Sequence, residues 1–168
     1  MLAADVAGFS RLTDQDEIGA MRMLAAHWAI LDAAIARHRG RIANTAGDSV
    51  LAEFPSAVNA VQCAVEAQQA LRDGAEGVAE DRRVLFRIGI HVGDVMVRGD
   101  DLLGTGVNVT ARLEALADAG GIVLSAAAHE QVKKILPLAY TDLGPQQVKN
   151  IEEPVRAFAI GGHADVHC

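Results

Sequence analysis

At 168 residues the chain is the size of one domain, able to bury about two-thirds of its unfolded surface. Hydrophobic residues make up 51%, and 15 basic against 22 acidic residues leave a net charge of −7, which argues against disorder and against broad nucleic-acid binding. No run reaches the roughly 18 uncharged apolar residues of a membrane span, no signal-peptide pattern opens the chain, and Cys63 and Cys168 make no disulfide framework, so a cytoplasmic setting is expected.

Residues 1–6 are a short apolar run that reads as a buried central strand, broken by Gly8. Asp14 followed by Glu17 places an acidic helix start. Ile18, Met21, Ala25, Trp28, Leu31 and Ile35 then give that helix one apolar face to about His38, and Gly40 ends it. Residues 41–45 and 49–54 read as a hairpin with Ala46, Gly47 and Asp48 at the tip. Pro55 and Ser56 open a second helix to about Arg72, with Val58, Val61, Val65 and Leu71 facing inward. A charged loop over 73–82 precedes strands expected at 85–93 and 94–98, joined by a turn near Gly93 and Asp94. The rest reads as a helix over 106–117, a strand over 121–125, a helix over 126–135, and strands over 138–143 and 154–160.

The leading β-α-β-β-α-β succession is the split βαβ order. The expected fold class is therefore α+β, a ferredoxin-like βαββαβ core with additional C-terminal strands and a helix. Residues 1–160 form the domain, and residues 161–168, without periodicity, read as tail or linker. A strand that starts at Met1 suggests a domain of a longer protein, with further domains as partners.

Asp5 ends the first strand and Asp48 stands at the hairpin apex. In a ferredoxin-like order both carboxylates can converge on two hard divalent cations about 3.5–4 Å apart. Gly8, with Phe9 and Ser10 after it, lets backbone N–H groups approach phosphate oxygens. Asn108 and Arg112, at i and i+4, share one helix face and leave Val107, Ala111, Leu113 and Leu116 to the core. A guanidinium's forked donors suit charge gathering on a phosphoryl group. Taken singly, each has a plainer reading: a turn-capping acid, a hairpin-tip residue, a solvated helix face. His91 and His129 read as core histidines, since no second His or Cys stands at ligand spacing.

Together, the segments around Asp5 and Asp48 and the string Gly-Thr-Gly-Val-Asn-Val-Thr-Ala-Arg at 104–112 resemble the catalytic domain of class III adenylate and guanylate cyclases, over residues 1 to about 160. The resemblance implies the nucleotide cyclase fold and conversion of ATP to 3′,5′-cyclic AMP and pyrophosphate. It implies two Mg²⁺ or Mn²⁺ ions per site, held by Asp5 and Asp48 of one copy. A head-to-tail homodimer would bring Asn108, Arg112, Asp101, Asn44 and Lys149 from the second copy. Asp101 opens the pattern Asp-x-x-Gly that ends at Gly104, where the family's adenylate cyclases place an acid that accepts from the adenine amino group. Asn44 stands where those enzymes carry Lys and guanylate cyclases carry Glu; an amide can donate or accept, so GTP stays an alternative substrate. Lys149, in Val-Lys-Asn rather than Val-Lys-Gly, is implied to hold the triphosphate. Two other readings remain: a catalytically weak cyclase-like regulatory or nucleotide-binding module, and a palm-like nucleotidyltransferase, for which no template site is visible.

Overall fold

A computed structural model describes residues 1–7, 17–46, 49–74, 85–92, 96–98, 101–103, 105–148 and 151–160. Along the chain these form β1 (Leu2–Ala7), α1 (Glu17–Arg37), β2 (Arg41–Ala46), β3 (Ser49–Glu53), α2 (Ala57–Gly74) and β4 (Leu85–Ile90). There follow β5 (Met96–Arg98), β6 (Asp101–Leu103), α3 (Thr105–Leu116), β7 (Ile122–Ser125), α4 (Ala126–Val132), β8 (Tyr140–Val148) and β9 (Ile151–Ile160). Seven strands make one sheet in the order β2-β3-β1-β4-β7-β9-β8, and β5 pairs with β6 in a separate ribbon. Each neighbouring pair among the first four strands is antiparallel, with β3 inserted between β1 and β2, which therefore run parallel to each other. That arrangement is the split βαβ order expected of the core. β7 then adds parallel to β4, and the β8–β9 pair closes the far edge antiparallel.

Strand alternation divides the sheet into two unlike faces. Leu2, Ala4 and Val6 of β1 join Phe86, Ile88 and Ile90 of β4 in a large core with α1, α2 and α4. Trp28 lies against Phe86 there, ring centroids 4.9 Å apart. On the other side, Val109, Leu113 and Ala117 of the α3 region cover Val123 and Ala157 in a smaller cluster. Gly89 explains how close α3 comes. A Cβ at that position would stand 2.3 Å from the backbone nitrogen of Glu114 and 2.7 Å from the Thr110 carbonyl oxygen. The missing side chain is what lets the helix backbone rest on the strand.

Helix ends follow local chemistry. Ser56 caps α2, its hydroxyl accepting the Asn59 N–H at 3.2 Å. At the end of α1, Gly40 N–H donates to Ile35 O at 2.8 Å and Arg39 N–H to Ala36 O at 3.2 Å, a Schellman pattern. The residue in the left-handed region is Arg39, at φ 63°. Gly40 is needed instead for space, since a Cβ there would meet the Phe54 ring at 2.5 Å.

Several expectations need correcting. Leu31 and Ile35 of α1 are buried, but Ile18 is 69% and Met21 55% exposed, and Ala25 is exposed too. Periodicity sets the phase of an apolar stripe and not how far its partner surface extends. Residues 96–98, expected to pair back on the strand before them, pair instead with β6, for which the sequence carries no strand signal. α4 stops at Val132 rather than 135, and β8 and β9 run longer than expected, with Gly144 at φ 79° beside a register shift in β8. The capping residue Asp14, the turn at Gly93 and Asp94, most of the charged loop and the tail 161–168 lie outside the described residues.

Candidate active site

Asp5 sits near the end of β1, directly opposite Ser49 of β3 and Arg87 of β4. Ala3, two residues earlier on the same face, is opposite Gly89, the seat of α3. Asp5 therefore belongs to the sheet face that carries α3, away from the large core. The carboxylate is partly exposed, and its Oδ1 accepts the Val6 N–H at 2.8 Å. It offers oxygen donors only, which fit a hard divalent cation. Among the described residues no group of three or more His, Cys, Asp or Glu could hold a metal. Asp48 itself lies outside the described residues, immediately before Ser49 in the chain.

α3 carries the polar pair. Asn108 and Arg112 are both exposed, while Val109, Thr110, Leu113 and Ala117 are buried against the sheet. The exposed face is as expected, but the inward residues differ in phase: Ala111 is exposed, and Val107 and Leu116 are only partly covered. Thr110 is accommodated by donating its hydroxyl to Gly106 O at 2.6 Å. Such a helix presents a guanidinium and an amide outward from a rigid seat.

Asn44 lies in β2, paired with Leu51 beside a register shift, and Asp101 opens β6 opposite Arg98. The side chains of Asn44 and Asp101 are outside the described set. β6 packs against both β2 and α3, so the elements bearing Asn44, Asp101, Asn108 and Arg112 are neighbours. Phe9, Ser10 and Lys149 lie outside the described residues. Sequence reasoning missed Arg87, the cross-strand neighbour of Asp5, and the seating role of Gly89. A charged residue between buried Phe86 and Ile88, and a glycine inside a strand, were the signals for each.

His91, just past β4, is a packed histidine, its Nδ1 2.7 Å from Ser125 Oγ. Burial, and secondarily the positive amino terminus, push its pKa down to about 4. His129 stacks on Phe158 at 3.9 Å. Burial raises the Cys63 thiol to about 12, which leaves it an inert core residue.

The architecture is thus a split-βαβ domain with an exposed polar helix and a strand-end acid on one sheet face. The chain belongs to the adenylate and guanylate cyclase catalytic domain family, whose profile matches residues 1–162. A Rhizobium meliloti (strain 1021) protein named "Putative adenylate cyclase 3" is 46% identical over 159 residues, covering 94% of this chain and 27% of that protein. An adenylate cyclase of Streptomyces coelicolor is 30% identical over 133 residues, 77% of this chain and 32% of its own length. The chain thus spans a third or less of these two curated relatives. Among solved structures, the adenylate/guanylate cyclase/hydrolase from Silicibacter pomeroyi superposes with a TM-score of 0.87 at 39% identity, covering 96% of this chain and 95% of that one. Among the described residues no helix is long and apolar enough to cross a membrane.

Proposed function

We propose that the domain converts ATP to 3′,5′-cyclic AMP and pyrophosphate at sites shared between two copies of the chain. The observation that carries this reading is the placement of Asp5 on the α3 face of the sheet, opposite the residue that follows Asp48. In the reaction the ribose 3′-oxygen attacks the α-phosphorus, the bond to the β-phosphate oxygen breaks, and the 3′-hydroxyl proton passes to solvent. Two Mg²⁺ or Mn²⁺ ions on Asp5 and Asp48 would lower the pKa of the 3′-hydroxyl and offset the triphosphate charge. Arg112 of the second copy meets charge growing on the α-phosphoryl oxygens, and Asn108 orients the ribose. Lys149 and the backbone N–H groups of Phe9 and Ser10 steady the phosphates. Asp101 accepts from the adenine amino group, and Asn44 bonds the adjacent ring nitrogen.

Asn44 is also the reason to weigh GTP, because a flipped amide accepts where the usual Lys cannot. The test is Mn²⁺-supported turnover of ATP and of GTP separately, over a range of protein concentrations. Cyclic AMP is expected to exceed cyclic GMP, to vanish in Asp48→Ala, and to form with a specific activity that rises with concentration. A predominance of cyclic GMP would move the assignment to guanylate cyclase. No cyclic product from either nucleotide would leave the non-catalytic module as the reading.

A further inference from the structure

A cavity of about 910 Å³ opens on the three-helix side of the sheet, away from Asp5 and α3. Its walls include Val65, Leu136, Pro137, Leu138 and Ile160, and a guanidinium, that of Arg72, joins them. The size is within the range of small-molecule sites, which are apolar with few placed polar groups.

Among the described residues no carboxylate is hydrogen-bonded to Arg72, although the charge of Asp73 acts on it from a distance. The Arg72 Nη2 donates to Gly120 O at 3.0 Å, while its Nε is buried with no hydrogen-bond partner. The two carboxylates on the same wall are engaged elsewhere. Glu66 accepts Arg37 Nη2 at 2.6 Å, and Asp73 accepts Gln69 Nε2 at 3.0 Å. Burial lowers the Arg72 pKa, and the charge of Asp73 offsets this only in part.

The floor beneath Arg72 is rigid. Gln68, one helical turn earlier and 1% exposed, donates from Nε2 to Phe86 O at 2.9 Å and Gly121 O at 3.0 Å. Those two bonds fix its amide, so Oε1 is left buried and unpartnered beside the same wall. Unsatisfied polar atoms gathered at one cavity call for a cause. A guanidinium anchored by one carbonyl bond can turn toward an anion without breaking any bond at Nε.

We propose that this cavity binds a small monocarboxylate with an apolar body, the carboxylate on the Arg72 guanidinium and the body against Val65, Leu136 and Ile160. The ligand class follows from one guanidinium whose Nε has no partner, set among aliphatic walls, which suits a planar carboxylate better than a dianion. The site is separate from the nucleotide chemistry, and its occupancy does not depend on the cyclase reading.

Phenylacetate is the probe and phenylacetamide its uncharged isostere, each titrated into ¹⁵N-labelled protein while the Gly120 and Gly121 amide signals are followed. Saturable shifts with phenylacetate are expected, about tenfold or more weaker with the amide, since a charge-assisted bond of about 1.5–3 kcal/mol is lost. Arg72→Met should abolish the phenylacetate response while keeping a dispersed spectrum. If that variant does not fold, the comparison of acid and amide on the unaltered chain decides alone. No saturable shift, or equal affinity for acid and amide, overturns the proposal.

Discussion

Arg39 carries a side chain at φ 63°, a backbone conformation that glycine usually takes at a helix end. A left-handed L-residue costs about 1–2 kcal/mol, and the extra unfolded-state freedom of glycine takes back about 0.4–1 kcal/mol. Arg39→Gly should therefore stabilise the domain by about 0.5–1 kcal/mol, read as a higher urea midpoint with an unchanged slope. A lower midpoint would mean that the exposed arginine makes contacts of greater value. Arg112 is the functional counterpart at this scale: exposed, on a rigid helix, and proposed to act only as charge builds on the phosphoryl group. For Arg112→Ala, kcat should fall by about 10²–10³ with little change in KM. A raised KM at constant kcat would recast it as a ground-state binding residue.

At the scale of elements, α3 depends on Gly89. Gly89→Ala forces a Cβ into the Glu114 backbone and should cost about 1–3 kcal/mol or more, because backbone cannot swing aside as a side chain does. Cyclase turnover should drop with it, since Asn108 and Arg112 ride on the displaced helix. A melting temperature equal to wild type would show that the helix can lift from the strand freely. The order of elements through α2 and β4 was legible because each has a plain local signal: the apolar run at Leu2–Ala7, the Ser56 cap, the turn residues after Ala46. β6 was not, because three residues that find their partner in β5 carry no periodicity of their own. The exposed start of α1 was not either, since burial depends on what lies opposite. At the candidate site, the outward pair on α3 was readable from i, i+4 spacing, whereas the place of Arg87 beside Asp5 depends on the pairing register of β1 with β4.

For the whole molecule, His91 links stability to pH. Its folded pKa of about 4 lies below the ordinary histidine value of 6.5, so the unfolded chain binds more protons between those values. Its contribution is complete above pH 6.5, declines as pH falls toward 4, and changes no further below. Denaturant unfolding at several pH values, compared with His91→Asn, should show the wild type losing more stability across that window. Parallel losses in the two proteins would assign the effect to other groups. Ser125 gives the pairing wider reach, because its hydroxyl also accepts the Ala128 N–H at 3.2 Å to start α4.

The unequal faces of the sheet have an evolutionary consequence. Among the described residues three helices seal one side into the greater part of the hydrophobic interior, while one helix on the other leaves Asp5 and the polar pair accessible. Robustness and chemistry are thereby drawn from separate stocks of residues. Selection can retune thermal tolerance through Leu31, Val61 or Phe86 without touching the accessible face, and the base contacts proposed for β2 and β6 can change without endangering the scaffold.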